Sequence, residues 1–403
     1  MKKTRVLQEI RHMRFTEIYK QRTEGKLTVE QAADILGINE RTFRRWVSRY
    51  KEEGEEGLAD RRLDRAAHNT APTDEVIEIV TLFQTRYSDF TVSHFYDKYR
   101  MKHEGERSYT WVKTCLQEAG LVRKAKKRGA HRRKRPRKAE KGIMLHQDAS
   151  SHEWIEDTKW DLIITMDDAD NEIYSGFFVE EEGTWSSFQG VSEVIVAQGL
   201  FCSLYTDRGS HYFYTPEVGG KVDLKQPTQF GRAMQQLGIE HIAAYSPEAR
   251  GRSERMFGTL QGRLPQELKQ AEIRTIEEAN KFLQEVFIPE FNKRFKIKAE
   301  SDGSAFIPWL TARNNLDDIL CIQEQRTVSN DNTVSYKKKK LQIAKDKYRY
   351  SYAKTQVKVH EYQDGSTAIF HGPRCLGQYT ATGETKDALN NVIDLAEEKR
   401  KHG

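Results

Sequence analysis

The chain has 403 residues, of which 37% are hydrophobic and 31% charged, enough for two to four domains with real but modest cores. No run of about 18 apolar residues is present, so no membrane span is expected, and the basic start MKKTRVLQEIRHMRF lacks the apolar stretch of a signal peptide. The net charge of +6 conceals an asymmetry: residues 1–142 carry 34 Lys and Arg against 21 Asp and Glu, whereas the remainder holds 32 against 39.

A basic N-terminal part points to phosphate as its partner, and an acidic C-terminal part needs cations before it can approach DNA. Cys115, Cys202, Cys321 and Cys375 are scattered with no CxxC pair. That disfavours a zinc site or a disulfide framework and suits a reducing, cytoplasmic setting.

Residues 1–66 read as a helix-turn-helix module. Thr28 and Gln31 form a capping-box pattern opening LTVEQAADILG, with Ala32, Ala33, Ile35 and Leu36 as the packed face and Gly37 at the turn. Asn39 caps a second helix, ERTFRRWVSRY, whose Phe43, Trp46 and Val47 point inward by helical spacing. Arg41, Arg44, Arg45 and Ser48 then share the outer face, as on a helix that reads guanine edges in a major groove. The blander alternative is a solvated basic face on an ordinary helical hairpin.

Residues 67–122 form a second helical module of winged or helix-turn-helix type. Val76, Ile79, Val80 and Phe83 line one helix; Ser108 caps another, YTWVKTCLQEAG, with Trp111, Cys115 and Leu116 as core and Tyr109, Thr110 and Lys113 outward. A helical dimerisation or spacer domain is the alternative. Residues 123–142 are a basic linker, in which twelve Lys and Arg accompany a single Glu140. Too little apolar surface is available there to offset the cost of ordering. Arg132, Arg133, Lys134 and Arg135 suit phosphate tracking, which weakens as salt rises.

From 143 to 310 the pattern becomes α/β. WDLIITMDDAD and IYSGFFVEEE read as strands joined by a turn, VSEVIVAQG as a short helix or strand, and FCSLYTD as a buried strand. The helix QFGRAMQQLG ends at Gly238, IEHIAAYS is a strand, and a further helix starts near Arg252. Residues 318–384 are β-rich, with a turn at Gln363–Ser366 and a basic edge at Lys337–Lys340, which suggests a small barrel. Residues 385–403 are a tail beginning with a short helix.

Three acids stand out. Asp148 follows Ile143, Met144 and Leu145 on the first core strand, Asp207 ends an apolar strand, and Glu254 opens a helix. Carboxylates so placed suit a two-metal phosphodiester site, because hard Mg²⁺ takes oxygen ligands and few protein carboxylates. Asp167 and Asp168, in MDDAD, compete with Asp148 but read as turn residues, and Asp168→Asn is expected to stay substantially active. Glu248 competes with Glu254. His211 is read as structural.

The run SPEARGRSERMFGTL resembles the SPxxNGxxERxxxTL signature of integrase-core DDE transposases of bacterial insertion sequences, and YTDRGSHY resembles their TDNGSEF. The usual Asn is Arg208 in one motif and Arg250 in the other, and the 46 residues between Asp207 and Glu254 exceed the family's usual gap. An insertion at Thr215–Thr228 would account for the excess.

The resemblance covers most of the chain and implies a multidomain protein. Helix-turn-helix modules would precede an α/β ribonuclease-H-like core with a mixed sheet and a small C-terminal β-barrel. It implies Asp148, Asp207 and Glu254 as the catalytic, metal-holding triad, with Mg²⁺ as two ions and Mn²⁺ able to substitute. Arg250 and Arg252 would contact the DNA backbone. The partners implied are double-stranded DNA, as element ends and target, and further copies of the chain in a dimer or larger oligomer on the bacterial nucleoid. A non-catalytic DNA-binding regulator derived from a transposase and a nuclease that cuts without joining are the competing readings.

Overall fold

Caps and glycines set the first boundaries. The structure, a computed structural model, describes residues 2–58, 71–124, 136–217, 220–245, 251–310, 315–345 and 348–386. It divides into two compact units, Met1–Thr81 and Leu82–Gly403.

In the first unit, α1 (Lys2–Thr23), α2 (Val29–Leu36) and α3 (Glu40–Glu53) enclose a small core of Phe15, Ile18, Ala32, Ala33 and Phe43. The Thr28–Gln31 box closes reciprocally, satisfying two N–H groups that a helix start leaves without partners. Gly37 ends α2 at φ 65°, a left-handed conformation that glycine adopts without strain, and the Asn39 side chain accepts from Thr42 N–H. Trp46 and Val47 pack against this core as expected. Ile35 does not: it is 57% exposed, because Ala32, Ala33 and Leu36 already fill the buried stripe of a short helix. The helix α4 (Thr73–Arg86) follows.

The second unit contains the end of α4, then α5 (Val92–Lys102) and α6 (Tyr109–Glu118). Val112 and Leu116 form the buried stripe of α6. Trp111, expected in the core, is instead partly exposed beneath the Arg107 guanidinium, 5.2 Å from its ring centroid. An indole is large enough to cover a helix flank without entering the interior.

The central sheet has the order β3-β2-β1-β4-β5. Its strands are β1 (Met144–Ile155), β2 (Thr158–Asp167), β3 (Ile173–Val179), β4 (Ser203–Thr206) and β5 (Glu240–Ala243). The first three form an antiparallel meander, and β4 and β5 add parallel to β1. Parallel pairing demands crossovers. These are α7 (Thr184–Ala197), which resolves the ambiguity of VSEVIVAQG as a helix, and α8 (Gln229–Leu237), which ends at Gly238. Leu145 and Leu204 face the layer built by α7 and α8. Leu162, Ile164 and Met166 face the opposite layer of α9 (Ser253–Gln261), α10 (Leu264–Gln270), α11 (Ile276–Phe282) and α12 (Ile288–Phe295). A sheet buried on both faces by helices is the mixed-sheet core expected from the sequence.

The C-terminal part contains β6 (Ile322–Thr327), β7 (Thr333–Tyr336), β8 (Lys339–Gln342), β9 (Gln356–Glu361), β10 (Thr367–His371) and β11 (Arg374–Tyr379). The turn at Gln363–Ser366 joins β9 to β10 as anticipated. The strands form an open four-stranded sheet, β11-β10-β9-β6, and a separate β7-β8 hairpin around one core, so no closed barrel exists among the described residues. Lys337 and Lys338 both take positive φ in the hairpin turn, which removes them from the flat basic edge envisaged. The tail from 387 onward lies outside the described residues.

Candidate nucleic-acid interface and carboxylate site

Arg41, Arg44, Arg45 and Ser48 are all exposed on α3, opposite the buried Phe43. Arg44 is pinned along the helix by Glu40 at 2.7 Å, and Ser48 donates to Glu52 at 3.1 Å. These are exchangeable surface contacts, weak enough to give way to phosphates or base edges. On α6, Tyr109 is exposed and the Lys113 ammonium lies 5.9 Å from its ring centroid. Arg132, Arg133, Lys134, Arg135, Glu248 and Arg250 lie outside the described residues.

The acids are organised by the sheet. In the parallel β1–β4 pair, His146 stands opposite Tyr205, and their rings lie 5.2 Å apart on one face. Continuing that register by two residues sets Asp148 beside Asp207, since side chains two apart on a strand share a face. Asp148 is 9% exposed. Asp207 lies just past the end of β4, where its Oδ1 accepts the Gly209 N–H at 2.8 Å.

The face that carries His146 and Asp148 also carries Ser150, and Ser150 Oγ accepts from Gln261 Nε2 of α9 at 2.9 Å. Glu254 is seven residues before Gln261, two helical turns along the same stripe, and is exposed. Strand and helix thus bring the three acids to one side of the sheet. Among the described residues no group of three or more His, Cys, Asp and Glu side chains is gathered tightly enough to hold a metal ion. Asp148 lies on β1, Asp207 just past β4 and Glu254 on the first turn of α9.

Tyr212 reports on this arrangement. Burial raises its phenol pKa far above the usual value, and Glu182, Asp207 and Asp148 raise it further. Glu182 is a fourth acid near the pair that sequence reasoning missed. Its carboxylate lies 3.3 Å from His211 Nε2, which agrees with a structural role for that histidine.

Asp167 and Asp168 do make turn contacts: Asp167 Oδ1 accepts from Ala169 N–H at 2.8 Å. They are also fully buried, which the turn reading did not anticipate. Burial pushes the Asp167 carboxyl up to about 6, against hydrogen bonds from Gly142 and Ala169. For Asp168 burial acts the same way, but the His146 and Lys138 hydrogen bonds and the Arg252 charge outweigh it and hold the group below the carboxylate range. Arg252, expected at the DNA backbone, has a side chain only 10% exposed and turned inward to Asp168. Its position suits an internal tie.

A helix-turn-helix domain family matches residues 18–67. The Sinorhizobium fredii protein y4bF, named as a transposase, is 28% identical over 88% of this chain and 78% of its own length. The transposase for insertion sequence IS1202 of Streptococcus pneumoniae is 28% identical over 69% of this chain and 67% of its own. Among solved structures, a simian T-cell lymphotropic virus intasome in complex with a PP2A regulatory subunit is similar at a TM-score of 0.35 and 13% identity, covering 72% of this chain and 95% of that one. The HTLV-2 integrase catalytic core domain in complex with magnesium is similar at 0.28 and 15%, covering 35% and 82%.

Proposed function

We propose that this chain, a relative of bacterial insertion-sequence transposases, binds the ends of a mobile element, cleaves phosphodiester bonds there and joins the freed 3′-OH ends to target DNA. The observation that supports the reading is the β1–β4 register, which pairs His146 with Tyr205 two residues before Asp148 and Asp207, on the face where Ser150 meets Gln261 of α9. The carboxylates of Asp148, Asp207 and Glu254 are not gathered tightly enough for a metal ion here, and would have to close up to hold Mg²⁺ or Mn²⁺ once DNA is bound. An acid within β1, a second just past β4 and a third on a helix make a donor set of hard oxygens, which suits such ions. Bound there, the metal would supply Lewis-acid activation of the attacking oxygen and stabilisation of the leaving one.

The protein's own groups have separate tasks. Asp148 is held by its strand, and Asp207 by the Gly209 N–H, so both present their charge without reorganising. Arg41, Arg44, Arg45 and Ser48 read the element end. Tyr109, Lys113 and the basic linker, Arg132 to Arg135, hold flanking phosphates. Arg250 stays a phosphate contact in this scheme, whereas Arg252 acts inside the fold. Work at paired ends calls for a dimer or larger oligomer. No described helix is long and apolar enough to cross a membrane.

The test uses duplexes taken from the DNA flanking the gene, with and without a second duplex as target. Asp148→Asn, Asp207→Asn and Glu254→Gln should each abolish cleavage and joining together while binding to the end duplex persists. Chelation should silence both steps. Wild-type cleavage by all three variants would overturn the reading in favour of a regulator that only binds, and cutting without joining would favour a nuclease.

A further inference from the structure

Asp168 sits at the β2–β3 turn with no solvent exposure, and its contacts reach three separate parts of the chain. Its Oδ1 accepts from His146 Nε2 at 2.8 Å and is also the partner of the Arg252 guanidinium. Its Oδ2 accepts the Lys138 N–H and its carbonyl accepts from Arg137 Nη1, both at 2.8 Å. Its own N–H donates to Met144 O at 3.0 Å.

The spacing of these partners matters. His146 lies two residues before Asp148 on β1, and Arg252 lies two residues before Glu254 at the start of α9. Arg252, at the α9 N-terminus, makes no side-chain cap hydrogen bond to the helix and reaches Asp168 instead. Arg252 also pushes electrostatically on Arg137, and the Asp168 charge counters that push. From the β2–β3 turn, one carboxylate therefore fastens the strand that bears one acid and the helix that bears another.

Resting on the proposed transposase reading, we infer that Asp168 is a positioning residue, which through His146 and Arg252 sets the separation of Asp148 and Glu254 and hence the grip of the site on divalent metal. This replaces the expectation that the charge of Asp168 is dispensable. A neutral amide keeps the shape and can still accept a hydrogen bond, but it loses the charge that binds Arg252 and opposes Arg137. The helix start is then free to shift, and displacement of about 1 Å at a reacting centre can cost on the order of a hundredfold in rate.

The experiment compares Asp168→Asn, Arg252→Gln, Arg252→Lys and the double variant Asp168→Asn/Arg252→Gln in the full chain. Mg²⁺ binding without DNA is followed by calorimetry, end-duplex binding by titration, and cleavage at saturating duplex. Asp168→Asn and Arg252→Gln should each weaken Mg²⁺ binding and slow cleavage by about tenfold or more, the range seen when supports of metal ligands are removed. End binding should stay intact. The double variant should be no worse than either single one, because both remove the same tie, and Arg252→Lys should recover most of the loss.

Folded Asp168→Asn and Arg252→Gln with wild-type Mg²⁺ binding, or losses that simply add in the double variant, would overturn the inference. Should Asp168→Asn fail to fold, the contrast between Arg252→Gln and Arg252→Lys decides in the same way. The controls keep the two readings apart. A dead Asp207→Asn beside an unimpaired Asp168→Asn sinks only the positioning role, whereas a fully active Asp207→Asn sinks the catalytic scheme beneath it.

Discussion

One oxygen of the Asp207 carboxylate is held by main chain. Gly209 donates its N–H to Asp207 Oδ1, and its carbonyl accepts from both Tyr212 and Phe213 N–H at 2.9 Å, so the turn after β4 is tight. A Cβ at position 209 would meet His211 Cε1 at 2.9 Å and Asp207 Oδ1 at 3.1 Å. The His211 ring faces Glu182 on its far side and has little room to retreat. Gly209→Ala should therefore displace the carboxylate while costing only about 1 kcal/mol of stability. Cleavage slowed by about tenfold or more, with an almost unchanged denaturation midpoint, is the expected result. Wild-type turnover would show that the turn tolerates a methyl and that this glycine serves the fold alone.

At the scale of elements, strand β5 carries a titrating group into the core beside the site. His241 stacks on Phe213, with ring centroids 4.0 Å apart, and its Nε2 lies 3.0 Å from Thr206 Oγ1. Burial, aided by the His211 charge, depresses its pKa from the usual 6.5 to about 3. The sign follows directly. Below pH 6.5 the unfolded chain takes up a proton that the folded one refuses, so the stability contributed is whole above 6.5 and erodes as pH falls toward 3. Between pH 7 and pH 5 the wild type should lose about 1–2 kcal/mol through this group, and His241→Gln should flatten that dependence. Identical pH slopes for the two proteins in urea titrations would remove His241 as the cause.

The same scale shows what a sequence conveys. The α2 and α3 caps, the Gly238 terminus and the β-meander were legible because caps, turns and alternation are local signals. The short strand β6, IQEQRT, was missed because few of its residues are apolar and its burial comes from pairing with β9. Trp111 was assigned to the core by size, whereas Val112 occupies it. The acids Asp167, Asp168 and Asp170 look in sequence like any solvated turn. Only the tertiary fold seals them beneath the helices and binds them to Lys141, Arg137 and Arg252. The candidate triad rests on the motif resemblance alone, while Glu182 and the Asp168 tie depend on contacts between segments remote in sequence.

Within the second unit, the largest long-range question is what fastens the α5–α6 helices to the sheet domain. Buried ion pairs span the joint. Glu267 of α10 accepts from His94 Nε2 at 2.6 Å and Lys98 Nζ at 2.7 Å, while Asp97 binds Arg263 at 2.6 Å and also pairs with Arg294. Burial would raise the Glu267 pKa, but the hydrogen bonds from His94 and Lys98 outweigh it and lower the value below the usual 4.5. The contribution of this carboxylate is therefore present above about pH 4.5 and lost as pH falls below it. Removing one member of a buried pair strands the other charge, at a cost of about 3–5 kcal/mol, whereas an exposed pair contributes about 1 kcal/mol at most. Glu267→Ala should accordingly lower the unfolding free energy at pH 7 by about 3 kcal/mol, because Lys98, with a side chain only 9% exposed, loses its partner. Lys269→Ala, which breaks the exposed contact of Lys269 with Asp89 at 3.7 Å on the same helix, should change it by less than about 1 kcal/mol. Denaturant titrations of the two variants give the comparison. Equal losses would mean that the α5–α10 joint is held by packing, with the buried ions as bystanders.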